Sequence, residues 1–372
     1  MSVHVKQGGE KGRYRQLVLT LSRVWAWAFL AILIIFFTTS VNISTDGSVN
    51  FLTVRTSQNI LIAIAPVLLM GLGQTFVIIS AGIDLSVGWV MGLSSVVTAL
   101  TARDLAGGGM EPYMAIFIGM VVGVIVAAIF GMINGVIIAK LKVPPFIVTL
   151  GMSFIARGTA LLVGGGMTIG GLPPEFRNVG NEALFYLVSG GEKAGLYFLS
   201  APELSRESLR SLDRIFSWPV VITTIVVVIA MFLLHRTRFG RHTLAIGGNA
   251  EASLRAGIPV DRHTILLYTM SAATAGIAGA LHTARFSGGD ARAGDPLLLG
   301  SIAAVIIGGV SLFGGSGTII GTVIGALIIA VLQTGLVMLN VDPFWQFVVV
   351  GVVVILAVLI DQSRDLIIGR GE

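Results

Sequence analysis

Residues 114–138 read MAIFIGMVVGVIVAAIFGMINGVII, a stretch without a single charged side chain. A bilayer core about 30 Å thick is crossed by roughly 20 apolar residues in an α-helix. The stretch is therefore predicted to be a transmembrane helix. Within it, Gly119 with Gly123 and Gly131 with Gly135 place small residues on one helix face, which allows a neighbouring helix to approach closely.

Similar apolar runs precede and follow this one, so the predicted fold class is all-α: a polytopic membrane protein of about ten transmembrane helices. The predicted spans are approximately 18–39, 60–80, 87–103, 114–138, 144–164, 218–234, 264–283, 297–312, 319–339 and 344–360. The third and eighth spans are short and interrupted by glycine. They are predicted to be tilted spans or discontinuous helices buried behind their neighbours.

The composition agrees with this class and excludes several others. Hydrophobic residues make up 55% of the 372 positions and charged residues 12%, with a mean hydropathy of +0.92, which leaves too much apolar surface for a water-soluble core. The chain has no cysteine, so disulfides, thiolate metal ligands and cysteine nucleophiles are excluded. The five histidines have no metal-ligand spacing, so we expect no metal and no cofactor. The net charge of +5 does not indicate nucleic-acid binding.

The distribution of basic residues predicts the orientation of the chain through the positive-inside rule. A basic segment precedes the first span, and no small-residue cleavage site follows it, so we predict a membrane anchor with a cytoplasmic N-terminus. That segment contains Lys6, Lys11, Arg13, Arg15 and Arg23. Two later turns share this character and are predicted to be cytoplasmic: one has Lys140 and Lys142, the other Arg236, Arg238, Arg241, Arg255 and Arg262.

On the other side of the membrane, the segment 165–217 mixes acids and bases and is predicted to be an external loop. Arg157 precedes it, about 20 Å along the fifth span at 1.5 Å per residue. Its side chain either reaches the external interface or pairs internally, and we favour the first, because long basic side chains extend readily toward water.

The sequence also repeats itself, which in transporters locates the working centre. Ser80-Ala81-Gly82-Ile83-Asp84 with Gly88 matches Phe286-Ser287-Gly288-Gly289-Asp290 with Gly294, displaced by 290 − 84 = 206 residues. A second match sets 119–123 and 143–146 against 317–321 and 341–344, displaced by 317 − 119 = 198 residues. The two repeats cover about 55–165 and 264–362. Chance similarity of glycine-rich apolar sequence is the alternative.

If five spans separate equivalent points, the second copy is upside down in the membrane. Asp84 is then predicted to be cytoplasmic and Asp290 external. Such inverted five-helix repeats commonly build a pathway whose two ends open alternately, with short broken helices near the pseudo-axis.

Polar groups inside the spans are few. Gln74, Asn134 and Gln333 lie at membrane depth and need partners, either on other helices or in a wet pathway. Almost no acid lies inside a span, although carriers driven by protons or sodium usually need such groups near the midplane. The chain also has no phosphate-binding loop ending in Gly-Lys-Ser/Thr, so it is not itself an ATPase. Energy is predicted to enter through a partner. No nucleophile, base and orienting group are spaced for chemistry, so we expect no enzyme.

The predicted cytoplasmic segment 236–263 offers a site for such a partner. A short helix over 250–256 is predicted, capped by Asn249 and stopped by Gly257. Glu251 and Arg255 are four residues apart and can pair on this helix. Taken alone, this is a capped surface helix between two spans.

These residues resemble a known family. Glu251-Ala252-Ser253 followed by Gly257 is similar to the Glu-Ala-Ala…Gly signature of binding-protein-dependent importer permeases, with Ser253 in place of the second alanine. Three other segments are similar to the ribose, xylose and galactose permease branch of bacterial ABC importers: Ile246-Gly247-Gly248-Asn249, GIDLSVG at 82–88 and GGVSLFGG at 308–315. The resemblance extends from about residue 50 to 362.

The resemblance implies a single transmembrane permease domain over 1–364, embedded in the lipid of the cytoplasmic (inner) membrane, that imports a monosaccharide by alternating access. It implies a homodimer, each copy bound by a cytoplasmic ATP-binding subunit through a coupling loop within 236–263. A periplasmic sugar-binding protein would deliver the substrate, and ATP would be hydrolysed in the partner subunit. The coupling residues implied are Gly248, Asn249, Ala250, Glu251, Ala252, Arg255 and Gly257.

Candidates for the sugar pathway are polar or aromatic residues in or beside the spans: Gln74, Asp84, Asn134, Phe146, Asp290 and Gln333. Phe146 could stack on a sugar ring, although such an aromatic more often faces lipid or packs against protein. The alternative function is a secondary, ion-coupled carrier, because a five-plus-five inverted repeat is also a carrier design.

Overall fold

The computed structural model describes residues 7–190, 194–202, 204, 211–342, 344–353, 355, 356 and 359, with side chains from residue 25 onward. The basic N-terminal side chains and the end of the second predicted repeat at 362 lie outside the described part. The helices are α1 (Gln7–Ser44), α2 (Val54–Ile79), α3 (Val87–Gly107), α4 (Pro112–Leu141), α5 (Pro145–Val163), α6 (Phe176–Asn181), α7 (Trp218–Arg236), α8 (Arg238–Gly248), α9 (Ala250–Arg255), α10 (Val260–Phe286), α11 (Leu298–Ile307), α12 (Ile319–Met338) and α13 (Phe344–Val353).

Seven of these helices are long and apolar enough to cross a membrane: α1 over Trp25–Ser44, α2, α4, α5, α7, α10 and α12. The remaining predicted spans correspond to α3, which is long but richer in serine and threonine, and to the shorter apolar helices α11 and α13. The predicted polytopic helical fold is confirmed.

The segment 165–217 contains structure that the sequence analysis did not predict. Besides α6, it forms three antiparallel strands in the order β2-β1-β3: β1 (Ala183–Val188), β2 (Gly195–Phe198) and β3 (Leu212–Ser217). Strand β3 leads directly into α7, and Asp213 on it pairs with Arg55 at the start of α2. The sheet therefore lies at the end of the bundle where α2 and α7 begin.

Backbone conformation recurs at positions that the sequence repeat makes equivalent. Ala81 and Ser287, displaced by 287 − 81 = 206 residues, have left-handed φ angles of 62° and 50°. Lys142 and Asn340, displaced by 340 − 142 = 198 residues, have φ angles of 57° and 55°. Non-glycine residues seldom adopt this conformation. Its recurrence at both displacements indicates that the two halves share a backbone plan.

The matched segments around the two aspartates also share local bonding. Asp84 and Asp290 each accept a hydrogen bond from the backbone N–H two residues later, at 3.0 and 2.9 Å. Gly88 and Gly294, four residues further along each segment, lie against each other. A pseudo-symmetry axis between the two predicted repeats would bring equivalent residues together in this way.

Helices of the two predicted repeats pack against each other. Helix α2 packs on α10, α11 and α12, while α10 packs on α2, α3 and α4. The contacts are close, since a Cβ placed on Gly73 of α2 would lie 2.6 Å from the Cα of Ser271 on α10. The hydroxyls of Thr75 and Thr322 hydrogen-bond at 2.6 Å between α2 and α12. The middle of α2 is thus the core of the molecule.

The glycine pairs of α4 allow the close packing that their spacing predicts. A Cβ on Gly119 would lie 2.7 Å from the carbonyl oxygen of Thr98 on α3, and one on Gly135 would lie 2.6 Å from the Cα of Ile265 on α10. The opposite face of α4 is apolar and exposed, as at Phe117, which is 63% exposed. That face is suited to lipid.

Arg157 makes the internal contact rather than the external one that we favoured. Its guanidinium carbon lies 4.8 Å from the centre of the Trp89 ring, a cation–π distance. Trp89 is buried near the start of α3. The electron-rich face of the Trp89 ring therefore attracts the Arg157 guanidinium toward the first turn of α3.

Candidate functional site

The segment between α7 and α10 forms the two short helices α8 and α9. The side chain of Asn249 caps α9, because its Oδ1 accepts a hydrogen bond from the N–H of Ala252 at 2.8 Å. Gly257, with a φ of 82°, follows its end. Arg255 donates to Glu251 at 2.6 Å on the helix surface. The predicted capped helix is present within one residue of its expected end.

One side of helix α9 is exposed. All seven predicted coupling residues are exposed, and the Glu251 and Arg255 side chains are 75% and 79% exposed. Leu254 between them is 61% exposed, although it is apolar. Ser253, the departure from the usual signature, is buried on the inner side. The exposed side of α9 therefore combines one large apolar residue with two charged ones.

At the end of α8, Gly247 lies against the backbone of the end of α2 and of the loop before α12, which are distant in sequence. The carbonyl oxygen of Ile79 accepts a hydrogen bond from the N–H of Gly315 at 2.8 Å. Gly247 packs on this pair so closely that it has no room for a Cβ. A Cβ on the neighbouring Gly314 would lie 2.8 Å from the Gly247 carbonyl oxygen and 2.9 Å from the Cβ of Ala81. The end of α8, the end of α2 and the loop before α12 meet here.

Five residues beyond Ile79, Asp84 is the centre of a fully buried hydrogen-bond network. Its carboxylate accepts from the Ser86 hydroxyl at 2.6 Å and from the Ser271 hydroxyl at 2.9 Å. Gln74 donates to the Asp84 carbonyl at 2.5 Å, and Asn134 donates to the Ser86 hydroxyl at 3.0 Å. The network joins α2, α4 and α10 to the loop before α3.

Three of the predicted pathway residues, Gln74, Asp84 and Asn134, thus lie together, and the other three do not join them. Phe146 is 54% exposed on α5, Gln333 is half-buried on α12, and Asp290 is half-buried in the loop before α11. The N–H of Asp290 donates to Ser95, and Ser95 lies 95 − 86 = 9 residues along α3 from Ser86. At 1.5 Å per residue, the two aspartates lie roughly 13 Å apart along α3.

Three residues of this region were not predicted from the sequence: Ser86, Ser271 and Gly247. Ser86 follows Asp84 by two residues, which is the spacing of an Asx turn and could have been found. Ser271 has no local signal, because 187 residues separate it from Asp84. Gly247 had been noted only as part of a family motif. Among the described residues, no group of three or more histidine or acidic side chains could hold a metal ion.

Two basic turns predicted to be cytoplasmic meet at one acidic residue. Lys140 and Lys142 contact Asp261 at 3.1 and 2.8 Å. The three side chains are 57%, 72% and 35% exposed, so these pairs add little to stability. They do show that the end of α4 and the start of α10 lie beside each other.

The chain matches over residues 56–358 the protein family described as "Branched-chain amino acid transport system / permease component". It is 38% identical over 297 residues to the ribose import permease protein RbsC of Bacillus subtilis (strain 168), covering 80% of this chain and 81% of that protein. It is 36% identical over 313 residues to the fructose import permease protein FrcC of Rhizobium meliloti, with coverage of 84% and 79%. The xylose transport system permease protein XylH of Haemophilus influenzae is 33% identical over 367 residues, with coverage of 90% and 94%. No solved structure matches the chain.

Proposed function

The chain belongs to the family of transport-system permease components, and on that premise we propose that it is the membrane-spanning subunit of an ATP-driven importer for a monosaccharide. Ribose, fructose and xylose importers are the systems named for the relatives described above. The observation that carries the proposal is the packing of Gly247 on Ile79 and Gly315, because it links exposed α9 to the loop that holds Asp84.

A permease of an ABC importer works with an ATP-binding subunit and a periplasmic binding protein. We infer that α9 and its flanks are the surface to which the ATP-binding subunit docks. The exposed Leu254 lies beside the Glu251–Arg255 pair, and this combination suits a protein interface. A partner could bury the leucine and carry charges complementary to the pair. The proposed coupling residues are Gly248, Asn249, Ala250, Glu251, Ala252, Arg255 and Gly257.

Coupling would pass from α9 to the membrane through backbone contacts rather than flexible side chains. Gly247 touches Ile79 without an intervening side chain, so a displacement of α8 must displace the end of α2 or separate from it. Five residues later, Asp84 holds α3 to α10. ATP binding could thereby shift the equilibrium between two packings of α2, α3 and α10, which is how alternating access operates.

We propose that Gln74, Asp84 and Asn134 form part of the sugar pathway. Gln74 Oε1 and Asn134 Oδ1 are buried and have no hydrogen-bond partner among the described residues. An unsatisfied buried acceptor costs about 1–3 kcal/mol. A sugar hydroxyl, when the network opens, would supply the missing donor. Phe146, Asp290 and Gln333 stay predictions as pathway residues.

We further propose that a second copy of the chain packs on the exposed face of α5. Arg157 remains exposed there although its guanidinium lies over the Trp89 ring, and lipid would be a costly environment for its charge. Gly151 and Gly158 on the same helix have no atom near the position of a Cβ, so another backbone could approach them. Large exposed side chains flank them: Phe154 (64%), Ile155 (56%) and Leu162 (84%).

The orientation is part of the proposal. The N-terminus, α9 and the Lys140–Asp261 contact would be cytoplasmic, which agrees with the positive-inside rule. The sheet of 183–217 would face the periplasm and the binding protein. Five helices of at least 19 residues, α2, α3, α4, α5 and α7, precede α10 from the start of the first repeat. This odd number supports inverted repeats over about 55–165 and 264–362.

Co-purification from mild detergent, followed by ATPase assay of the associated protein, tests the function. The wild-type chain should retain its ATP-binding subunit, whereas Glu251→Ala and Gly257→Arg should lose it or hydrolyse ATP without sugar stimulation. Asp104→Ala is the matched control, because Asp104 is an exposed acid paired with its neighbour Arg103 away from α9. Sugar accumulation driven by an ion gradient, with no ATP-binding subunit present, would instead select the carrier alternative.

A further inference from the structure

A cavity of about 490 Å³ lies between α2, α7 and α10, apart from both the Asp84 network and α9. Helices α2 and α10 touch at Gly73 and Ser271, and the cavity is lined by residues from 59 to 66 of the first and from 278 to 286 of the second. The helices run antiparallel and separate from their contact toward the end of the bundle that bears the sheet. The cavity is the wedge between them.

The lining of this wedge is mainly apolar. Its apolar walls include Ile62, Pro66, Ala278, Leu281 and Leu297. A monosaccharide would leave most of its hydroxyls without partners against such walls, and each buried unpaired hydroxyl is unfavourable. A hydrocarbon chain has no such requirement.

The outer rim is polar and contains positive charge. His282 has a buried Nδ1 with no hydrogen-bond partner among the described residues. Arg285 donates to the side chain of Asn181 and has no ion-pair partner in the described part of the chain. The positive charge of Arg214 acts on Arg285, and the negative charge of Asp290 acts on His282. The Arg285 guanidinium has five N–H donors, so its bond to one oxygen of Asn181 leaves donors for a bound anion.

Lipid has a route to the wedge. Helix α7 lines it at Pro219, and the side chains further along α7 are exposed and apolar: Ile225 (53%), Val228 (60%), Ile229 (51%) and Phe232 (60%). A helix with such a face borders the bilayer. Ala63 of α2, which also lines the cavity, is exposed.

We propose that this cavity is a binding site for an anionic amphiphile, whose acyl chain fills the apolar wedge and whose anionic headgroup binds Arg285 and His282. A bilayer phospholipid and a free fatty acid share this chemistry. The bound molecule would hold α2 and α10 apart at this end. The site is separate from the proposed sugar coupling, so either assignment can fail without the other.

Native mass spectrometry and thermal unfolding of the permease complex with its ATP-binding subunit test the proposal. Added phosphatidylglycerol should remain bound and raise the unfolding temperature, while phosphatidylcholine with the same acyl chains should not. Arg285→Gln should weaken phosphatidylglycerol binding about tenfold, the loss of one charge-assisted hydrogen bond. Arg285→Lys should restore most of it. Oleic acid binding at the same site without phosphatidylglycerol would support the site and identify the free acid as its source.

A second variant tests the wedge itself. Ala63→Leu should fill part of the cavity and reduce retention of the lipid, whereas Ala28→Leu, on the exposed face of α1, should not. Arg177→Gln is the control for charge removal on the same side of the molecule, because Arg177 is exposed and does not line the cavity. Equal retention of both phospholipids, unchanged binding in Arg285→Gln and Ala63→Leu, or displacement of the lipid by the transported sugar would overturn the proposal.

Discussion

Gly88 and Gly294 face each other where the start of α3 meets the loop before α11. A Cβ on Gly88 would lie 2.9 Å from the carbonyl oxygen of Gly294, and a Cβ on Gly294 would come still closer to the carbonyl oxygen of Gly88. The two residues are 294 − 88 = 206 positions apart, the displacement of the predicted repeat. Neither can accept a side chain unless the two halves move apart.

Replacing either glycine by alanine should therefore destabilise the fold. Overpacking in a tight core costs about 1–3 kcal/mol, and Gly294→Ala should lie at the upper end because its contact is the closer one. Thermal unfolding in detergent would measure the effect. Gly300→Ala is the control, because Gly300 on α11 has open space at its Cβ position. Equal unfolding temperatures for all three variants would contradict the contact.

Gly247→Ala should uncouple transport from ATP hydrolysis. The methyl group would strike the carbonyl oxygen of Ile79 and force α8 away from α2, while exposed α9 keeps its surface. We expect the ATP-binding subunit to remain bound and its sugar-stimulated ATPase activity to fall at least about tenfold, which corresponds to roughly 1.4 kcal/mol of lost coupling. Gly107→Ala at the end of α3, with open space at its Cβ position and outside the proposed coupling residues, should behave as wild type. Normal stimulation in Gly247→Ala would remove this contact from the coupling route.

Asp84→Asn should destabilise the packing at the start of α3. One carboxylate oxygen of Asp84 accepts from the Ser86 hydroxyl and the other from the Ser271 hydroxyl. Asparagine has an NH2 group in place of one of these oxygens, so one buried hydroxyl loses its acceptor at a cost of about 1–3 kcal/mol. Denaturation by heat should show the loss. The equivalent Asp290→Asn should cost less, because the Asp290 side chain is half-buried and accepts from one backbone N–H. A larger effect at Asp290 would reverse the assignment of the core network.

The absence of natural cysteine makes the orientation directly testable. Leu254→Cys on α9 should react with a membrane-impermeant thiol reagent only when the reagent has access to the cytoplasmic side. Phe198→Cys on β2, which replaces a 58% exposed side chain, should react from outside. Labelling of both cysteines from the same side would be incompatible with the proposed orientation.

The proposed face for the second copy predicts a specific cross-link. Gly158→Cys on α5 should form an intermolecular disulfide on mild oxidation in the membrane, because nothing within the chain covers that position among the described residues. Ile229→Cys on α7, 51% exposed on a face assigned to lipid, should not. Cross-linking at Ile229 instead would move the interface to α7.

Local sequence predicted most of this fold because membrane spans need long apolar runs, which few other structures require. The N-cap of α9 at Asn249 and its end before Gly257 were likewise predicted from the sequence. The sheet of 183–217 was missed, because its strands are short and lie in a segment of mixed charge between two spans. Short apolar runs of this kind do not distinguish a strand from a loop.

The site was predictable only in part, for a related reason. Gln74 and Asn134 were identified because a polar group at membrane depth needs a partner, and both now share the Asp84 network. That they join one network could not be predicted, because Asn134 reaches Ser86 across 48 residues and Ser271 reaches Asp84 across 187, and such contacts leave no mark in local sequence. Phe146 was chosen for its ring alone, and its exposed position on α5 gives it no contact with the network.

Helix α2, made early in synthesis, packs on helices made late, and this has a consequence for biosynthesis. Thr75 bonds to Thr322, which is translated 247 residues later. At about 5–20 residues per second, that interval lasts roughly 10–50 s. During this time α2 is already made, yet α10, α11 and α12, the helices that bury it, are not. The order in which helices enter the membrane therefore differs from the order in which they pack, and α2 must wait in a hydrated or lipid-exposed state until the last third of the chain arrives.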